Sequence, residues 1–273
     1  MTKTFAVIGD PIDHSLSPTI HNAAFRELDL DCTYIAYRIR KDELEEGIES
    51  LKKINIAGFN VTIPHKIEMM KHLDKVDQGC SIIGATNTVS YENGLLKGYN
   101  TDMDGFLAPI KKKDIKIIDS SVLLLGAGGA ARAIVAAFAK EKAKKIVIAN
   151  RTIQKANELA EFAKKIGIAA TAIKLEDAAN LIPDHKFIVN STSIGLNNEA
   201  SPINTDSISE KSIVYDIVYM PINTDLIKQS KKKGATVIYG YEMLLGQACR
   251  AFEIWHQKPA PYDVMKRSIL GGF

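Results

Sequence analysis

Residues 126–130, Gly126-Ala127-Gly128-Gly129-Ala130, have the types and spacing of a turn that cradles phosphates. The apolar run before them, 122–125, reads as a buried strand, and the small and apolar residues from 130 to 138 read as a helix. Strand, glycine turn and helix open a dinucleotide-binding βαβ unit. Gly126 permits the tight turn, Gly128 lets backbone approach a pyrophosphate, and Ala131 keeps helix and strand close. The N–H groups and positive dipole end at the helix start favour phosphate charge. A purely structural turn is the competing account; the flanking strand and helix favour binding. The second strand of the unit, 145–149, would end in an acidic residue if it held the ribose hydroxyls of NAD. It ends instead in Asn150-Arg151-Thr152, with Lys155 one turn further on. A planar guanidinium grips a 2′-phosphate by paired hydrogen bonds. Cations at a helix start oppose the dipole unless an anion is bound there. These residues point to NADP rather than NAD.

A second group of residues suits proton chemistry and the capture of a small anionic substrate. Residues 58–63 read as a strand running into Pro64-His65-Lys66, which places Asn60, Thr62 and Lys66 around a strand end, where ligands of open α/β sheets gather. A helix is expected next, with Lys66 in its first turn and Ile67, Met70 and Leu73 on its buried side. An ammonium there opposes the helix dipole, which favours a specific role for Lys66. Ser15 and Ser17 follow the strand 5–8 and precede a helix, so their hydroxyls and the first free N–H groups suit a carboxylate. Ser17 as a plain N-cap, with Pro18 in the first turn, stands equally well. Asp102 likewise reads either as a helix cap or as a functional carboxylate.

The elements that position these residues follow from periodicity. Ile20, Ala23, Ala24 and Leu28 give the first helix an apolar face, and Leu44, Ile48 and Leu51 give the second one. Between them, 33–39 alternates as a strand. Asn93-Gly94 between the strand-like runs 85–91 and 95–99 marks a hairpin. From 121 onward come strands at 122–125, 145–149, 169–173, 187–190, 213–217 and 235–239 with helices between most of them, the pattern of a doubly wound parallel sheet. Small polar residues stand at two more of these strand ends, 190–195 and 216–224, and Pro221 is placed to begin the next helix. A long amphipathic helix from Gly240 through Trp255 carries Gln247, and a last helix covers 262–270.

Composition narrows the classes. The chain has 273 residues, 46% hydrophobic and 25% charged, with a net charge of +3, too small to imply nucleic acid. Three cysteines with no C-x-x-C pair, and six histidines without metal spacing, point to a reducing compartment and no metal site. Residues 1–9 read as a strand rather than a signal peptide, and no run suffices to span a bilayer. A cytoplasmic enzyme of small molecules is expected, with neither nucleic acid nor membrane as partner, as a monomer or homodimer.

The residues taken together resemble the shikimate dehydrogenase family over essentially the whole chain. The motifs that carry the resemblance are Ser15-Leu16-Ser17-Pro18, Asn60-Val61-Thr62-Ile63-Pro64-His65-Lys66, Gly84-Ala85-Thr86-Asn87-Thr88, Asn100-Thr101-Asp102, the Gly126–Ala130 turn, Asn150-Arg151-Thr152 and Gln247-Ala248. The resemblance implies an α/β substrate domain, 1–101 plus 241–273, and an NADP-binding Rossmann domain, 102–240. It implies reversible NADPH-dependent reduction of 3-dehydroshikimate to shikimate, in aromatic amino-acid biosynthesis. It gives Ser15 and Ser17 to the substrate carboxylate, and Asn60, Thr62, Asn87, Asp102 and Gln247 to the ring hydroxyls or the order of the site. Lys66 and Asp102 become the catalytic pair, whether Lys66 donates the proton or stabilises charge. Tyr219 falls near the substrate carboxylate, Ile217 and Gly240 beside the nicotinamide, and Thr192 and Ser193 in the cofactor loop. His65 departs from the family, which often has an aromatic residue there.

Three other readings compete. A quinate/shikimate dehydrogenase using NAD would share the Lys66–Asp102 pair, but Asn150-Arg151-Thr152 argues against NAD. A non-catalytic nucleotide-sensing regulator on the same fold would have no reason to keep Lys66, Asn87, Asp102 and Gln247 together. A methylene-tetrahydrofolate dehydrogenase also combines a catalytic lysine with a related cofactor domain; the paired serines and Asn100-Thr101-Asp102 favour the shikimate reading.

Overall fold

The computed structural model describes residues 2–271. The chain divides into two compact units, Met1–Gly105 with Leu245–Phe273, and Phe106–Leu244.

The first unit is built on strands β1 (Lys3–Gly9), β2 (Cys32–Arg38), β3 (Gly58–Val61), β4 (Lys75–Val76), β5 (Thr88–Glu92) and β6 (Leu95–Tyr99). They form one mixed sheet in the order β2-β1-β3-β5-β6-β4. β1 pairs in parallel with β2 and β3, whereas β5 runs antiparallel to both β3 and β6. The crossovers are helices α1 (Ser17–Glu27) and α2 (Leu44–Lys53), and α3 (Gln78–Ile83) precedes the β5–β6 hairpin. The hairpin turns where expected: Asn93 and Gly94 have φ of 53° and 79°, the pair of positive values a two-residue primed turn requires. Leu44, Ile48 and Leu51 are buried with Ile8, Phe59, Val61 and Val89 in one apolar cluster.

Two expectations for this unit change. Residues 63–67 form turns, and a short 3-10 helix (Glu68–His72) follows in place of an α-helix. A tighter helix turns the side chains differently, so Met69 is fully buried while Ile67 is 60% exposed. Leu73 alone of the expected trio packs against the cluster. Leu28 also falls outside the buried face of α1, which ends at Glu27.

Helix α4 (Asp102–Lys112) carries the chain into the second unit and α8 (Gly240–His256) returns it to the first, followed by α9 (Tyr262–Leu270). The last turns of α8 complete an aromatic cluster in the first unit. His21 lies flat on Tyr34, with ring centres 4.5 Å apart, and Trp255 and Phe25 close around it. Both ring nitrogens of His21 and Nε2 of His256 are buried without a hydrogen-bond partner. Burial, and to a lesser extent His256, lowers the His21 pKa to about 3. Burial, then Lys3 and Lys258, lowers that of His256 to about 4. A histidine whose folded pKa lies below its unfolded value near 6.5 stabilises the fold fully only above that value. The stability is lost as pH falls from about 6.5 toward the folded pKa, at about 1.4 kcal/mol per pH unit for His21 alone. Thermal melting should therefore drop steadily between about pH 6.5 and pH 4, and His21→Phe should flatten that slope. An equally steep fall in the variant would assign the acid sensitivity to other groups.

The second unit is a parallel sheet of β7 (Ser121–Leu125), β8 (Lys145–Asn150), β9 (Ala169–Lys174), β10 (Phe187–Asn190), β11 (Ile213–Asp216) and β12 (Thr236–Ile238). The strands lie in the order β12-β11-β10-β7-β8-β9, all paired in parallel. This is the strand order of a doubly wound dinucleotide-binding sheet, which reverses direction between β7 and β10. The six strands predicted from alternation are all present. Helices α5 (Ala131–Lys140), α6 (Ile153–Lys165) and α7 (Asp225–Lys232) supply crossovers, and a 3-10 helix (Leu175–Asp184) joins β9 to β10. Pro221 does not begin α7. Thr224 caps it, its hydroxyl accepting from the Ile227 N–H at 3.3 Å. Among the described residues no helix is long and apolar enough to cross a membrane.

Candidate active site

In the first unit, one hydrogen-bonded network joins Asn60, Lys66, Asn87 and Asp102. Asn60 sits on β3, Lys66 in the turn after it, Asn87 immediately before β5, and Asp102 at the first position of α4. Lys66 Nζ donates to Asp102 Oδ2 at 2.5 Å, with 15% and 8% of the two side chains exposed. Asn87 Nδ2 donates to the other carboxylate oxygen at 2.8 Å and to Thr101 Oγ1 at 3.0 Å. Asn87 Oδ1 accepts from the Thr101 N–H at 2.7 Å, which fixes the amide. Asn60 Nδ2 donates to the Asn87 carbonyl at 3.1 Å and to Thr88 Oγ1 at 2.9 Å. The Lys66 carbonyl accepts from the Thr86 N–H at 2.9 Å, tying the turn to the chain just before β5.

The two readings left open by local sequence now separate. Asp102 spends its carboxylate on Lys66 and Asn87, and it is Asn100 Oδ1 that accepts the Asp102 N–H at 3.2 Å. Ser17 is not a side-chain cap: the N-cap position of α1 falls on Leu16, and no side chain caps that helix. The Ser17 N–H instead donates to Ser15 Oγ at 3.3 Å. Lys66 stands ahead of the 3-10 helix rather than in a helical first turn, so the dipole argument for it lapses and the ion pair with Asp102 replaces it. Ser15 and Thr62 are half-buried and outside the network, and Gln247 is buried on α8. Gly9 ends β1 against Thr62, where a Cβ would come within 2.4 Å of Thr62 Cγ2. His65 is buried and its Nε2–H donates to the Ile39 carbonyl at 2.7 Å, a structural tie. Two members of the network, Thr88 and Thr101, sit inside motifs the sequence singled out without being named as site residues. Tyr34, whose hydroxyl donates to Asn60 Oδ1 at 2.6 Å, gave no signal beyond that of a core strand residue.

In the second unit the glycine turn follows β7 directly. Gly126 has φ of +102°, and a Cβ on it would lie 2.8 Å from Ser191 Oγ and 3.0 Å from the Ser191 carbonyl carbon. A Cβ on Gly128 would meet no protein atom within 4 Å, so the chain presents bare backbone to open space just before α5. Ala131 is fully buried, as the close approach of helix and strand requires. Ala127, Gly129 and Ala130 complete the turn, and no side chain caps α5. At the end of the neighbouring strand β8, Asn150 Nδ2 donates to the Thr152 carbonyl at 2.8 Å, while Arg151, Thr152 and Lys155 are exposed around the start of α6. No acidic residue occupies the first turn of that helix.

The ends of β10 and β11 are joined by a buried polar set. Asp216 is fully buried and accepts from Asn190 Nδ2 at 2.9 Å, the Val218 N–H at 3.0 Å and Thr224 Oγ1 at 2.6 Å. Burial raises its carboxyl above the usual range, and these three donors pull it back. Asn190 Oδ1 in turn accepts from the Thr192 N–H and hydroxyl, so one carboxylate braces the loops carrying Thr192 and Ser193 and carrying Ile217 and Tyr219. Burial also raises the Tyr219 phenol. Gly240 is required by packing, since a Cβ would lie 2.4 Å from the Val218 carbonyl oxygen.

Comparison with known proteins agrees with this geometry. Three family models match: the shikimate dehydrogenase substrate binding domain over residues 7–89, shikimate / quinate 5-dehydrogenase over 108–217, and the shikimate 5′-dehydrogenase C-terminal domain over 240–270. A shikimate dehydrogenase (NADP(+)) of Nitrosopumilus maritimus is 70% identical over 273 residues, covering 100% of both chains. The chain belongs to the shikimate dehydrogenase family. Shikimate dehydrogenase of Aquifex aeolicus superposes with a TM-score of 0.91 at 40% identity, covering 98% of this chain and 97% of that one. Shikimate 5-dehydrogenase from Thermus thermophilus, in complex with NADP(H) and shikimate, gives a TM-score of 0.88 at 33% identity, covering 99% and 100%. The shikimate dehydrogenase fold thus extends over the whole chain, α/β in both units.

Proposed function

We propose that the chain catalyses the reversible NADPH-dependent reduction of 3-dehydroshikimate to shikimate, a step of aromatic amino-acid biosynthesis in the cytoplasm. The observation that carries the reading is the largely buried Lys66–Asp102 ion pair, 2.5 Å long and held on its other side by Asn87. The nicotinamide, when bound, supplies the hydride; the protein supplies position and charge. A ketone carbon that receives hydride leaves an alkoxide, which needs a proton and a nearby cation. The Lys66 ammonium meets both needs, and Asp102 orients it and joins the proton relay. Ser15 and Ser17 take the substrate carboxylate, and Asn60, Thr62, Asn87 and Gln247 take the ring hydroxyls. That Ser17 is not used as a helix cap supports its assignment. The first unit is on this reading the substrate domain and the second the NADP domain.

The second unit's residues fit NADP. Gly126, Gly128 and the uncapped start of α5 would hold the pyrophosphate, and exposed Arg151 and Lys155, with Asn150 and Thr152, would hold the 2′-phosphate. Ile217 and Gly240 would line the nicotinamide, and Thr192 and Ser193 would stand in the cofactor loop. Three free cysteines suit a reducing compartment.

Shikimate oxidation followed by nicotinamide absorbance, with NADP+ beside NAD+ and with quinate beside shikimate, tests the whole reading. Strong turnover with shikimate and NADP+ alone is the expected result. Comparable rates with NAD+ or quinate would make the enzyme a broader dehydrogenase. NADPH binding without turnover on any of these acids would remove the catalytic reading.

A further inference from the structure

Tyr34 lies on β2 in a run, Thr33-Tyr34-Ile35, that reads as ordinary strand. Only 2% of it is exposed. Its ring is sandwiched by packing, flat on His21 and within 6.2 Å of the Trp255 ring centre. Its backbone is pinned as well: the Tyr34 N–H and carbonyl both bond the side chain of Asn22, at 2.9 and 2.8 Å. The phenol is thus held at a fixed place, and its hydroxyl donates to Asn60 Oδ1 at 2.6 Å.

The orientation of the Asn60 amide follows from its partners. The Asn87 carbonyl can only accept, so Asn60 must turn Nδ2 toward it, and the second Nδ2 hydrogen goes to Thr88 Oγ1. Both donors of Asn60 are therefore committed inside the protein. Its oxygen has two lone pairs, and Tyr34 takes one. What Asn60 can still offer a ligand is a single acceptor site.

We propose that Tyr34 is a positioning residue for substrate selection: by filling one lone pair of the Asn60 amide oxygen, which the Asn87 carbonyl and Thr88 have already turned outward, it leaves a single directed acceptor, so that the site takes a ring hydroxyl that donates there and rejects a carbonyl or ether oxygen in its place. This rests on the assignment of Asn60 to the substrate and adds to it a residue that acts through Asn60.

Tyr34→Phe removes one oxygen atom and keeps the ring on His21. The KM for shikimate should rise roughly tenfold, since a buried acceptor loses its donor and its fixed direction, while kcat changes by less than about threefold. The KM for NADP+ should not move. Asn60→Ala should show the same split, and Tyr34→Phe introduced into that background should add less than about a twofold further change. An unchanged shikimate KM in Tyr34→Phe, or an undiminished effect in the Asn60→Ala background, would overturn the proposal. So would an equal rise in the NADP+ KM, the mark of general loosening. Should the wild-type chain bind shikimate by calorimetry yet fail to oxidise it, the functional reading falls and the calorimetric affinities of the two variants still decide the role of Tyr34. Absence of shikimate binding to wild type overturns both.

Discussion

Lys66→Ala is expected to lower kcat for shikimate oxidation about a thousandfold, the middle of the range for a positioned acid–base group, and to change the shikimate KM by less than about fivefold. The asymmetry follows from the network. Asp102 keeps its bond from Asn87 at 2.8 Å when Lys66 is gone, and Asn87 remains fixed by Thr101. The groups assigned to the substrate carboxylate and ring hydroxyls are untouched, so ground-state binding survives, while the group that protonates or steadies the alkoxide is lost. An interaction made chiefly in the transition state appears in kcat rather than KM. Steady-state kinetics over a range of shikimate concentrations separates the two. Folding should suffer as well: the 8% exposed Asp102 carboxylate loses its cation, and breaking a buried pair from one side costs about 3–5 kcal/mol. Melting curves therefore accompany the kinetics, and Lys66→Arg, which keeps the charge but is a very poor proton donor, separates the two effects. It should restore much of the stability and little of the rate. A kcat near wild type in Lys66→Ala would take Lys66 out of the mechanism.

The parts of this molecule legible in the sequence are those whose signal is local and repeated. The inner strands of the second unit, β7, β8, β10 and β11, show as apolar runs, and burial on both faces is what makes such runs nearly uninterrupted. Asn93-Gly94 announces its turn because few other pairs accept two positive φ angles. The glycine turn after β7 is legible for the same reason, Gly126 being at +102° with Ser191 against it. The Lys66–Asp102 pair is another matter. The two residues are 36 positions apart, and only the assembled sheet brings the turn after β3 to the start of α4. Their chemistry is readable from residue type and from family motifs, but not their contact.

Where local reasoning fails, a tertiary contact has replaced the local rule. The stretch 62–72 has helical spacing, but the chain there is held by the His65 tie to Ile39 and the Thr86 bond to the Lys66 carbonyl, and it makes turns and a 3-10 helix instead. Met69 is buried as a result, and Ile67 is not. Ser17 before Pro18 reads as a cap by every local criterion, yet the helix places its N-cap one residue earlier. Tyr34 and Asp216 are invisible for a further reason. An aromatic on a strand and an acidic residue at a strand end are both ordinary, and only their buried partners, Asn60 for one and Asn190 with Thr224 for the other, distinguish them.

Replacing Arg151 and Lys155 together by alanine is expected to raise the KM for NADP+ by roughly 10- to 100-fold and to leave turnover with NAD+ nearly unchanged, as loss of charge-assisted bonds to one phosphate predicts. Both residues are exposed at the start of α6, whose first turn holds no acidic side chain, and they serve no buried structure whose loss would unfold the unit. The sheet, the Gly126 turn and the bare backbone at Gly128 remain, so the pyrophosphate, which both cofactors share, is held as before. Only the 2′-phosphate distinguishes the cofactors, and Arg151 and Lys155 are the cations assigned to it. Because they are exposed, salt should weaken the preference of the wild-type enzyme for NADP+ and have far less effect on the double variant. Measuring kcat/KM for both cofactors at low and high ionic strength gives all four terms of the comparison. Equal loss with NADP+ and NAD+ would place Arg151 and Lys155 at the common part of the cofactor, and no loss with either would return them to solvent, leaving the discrimination to Asn150 and Thr152.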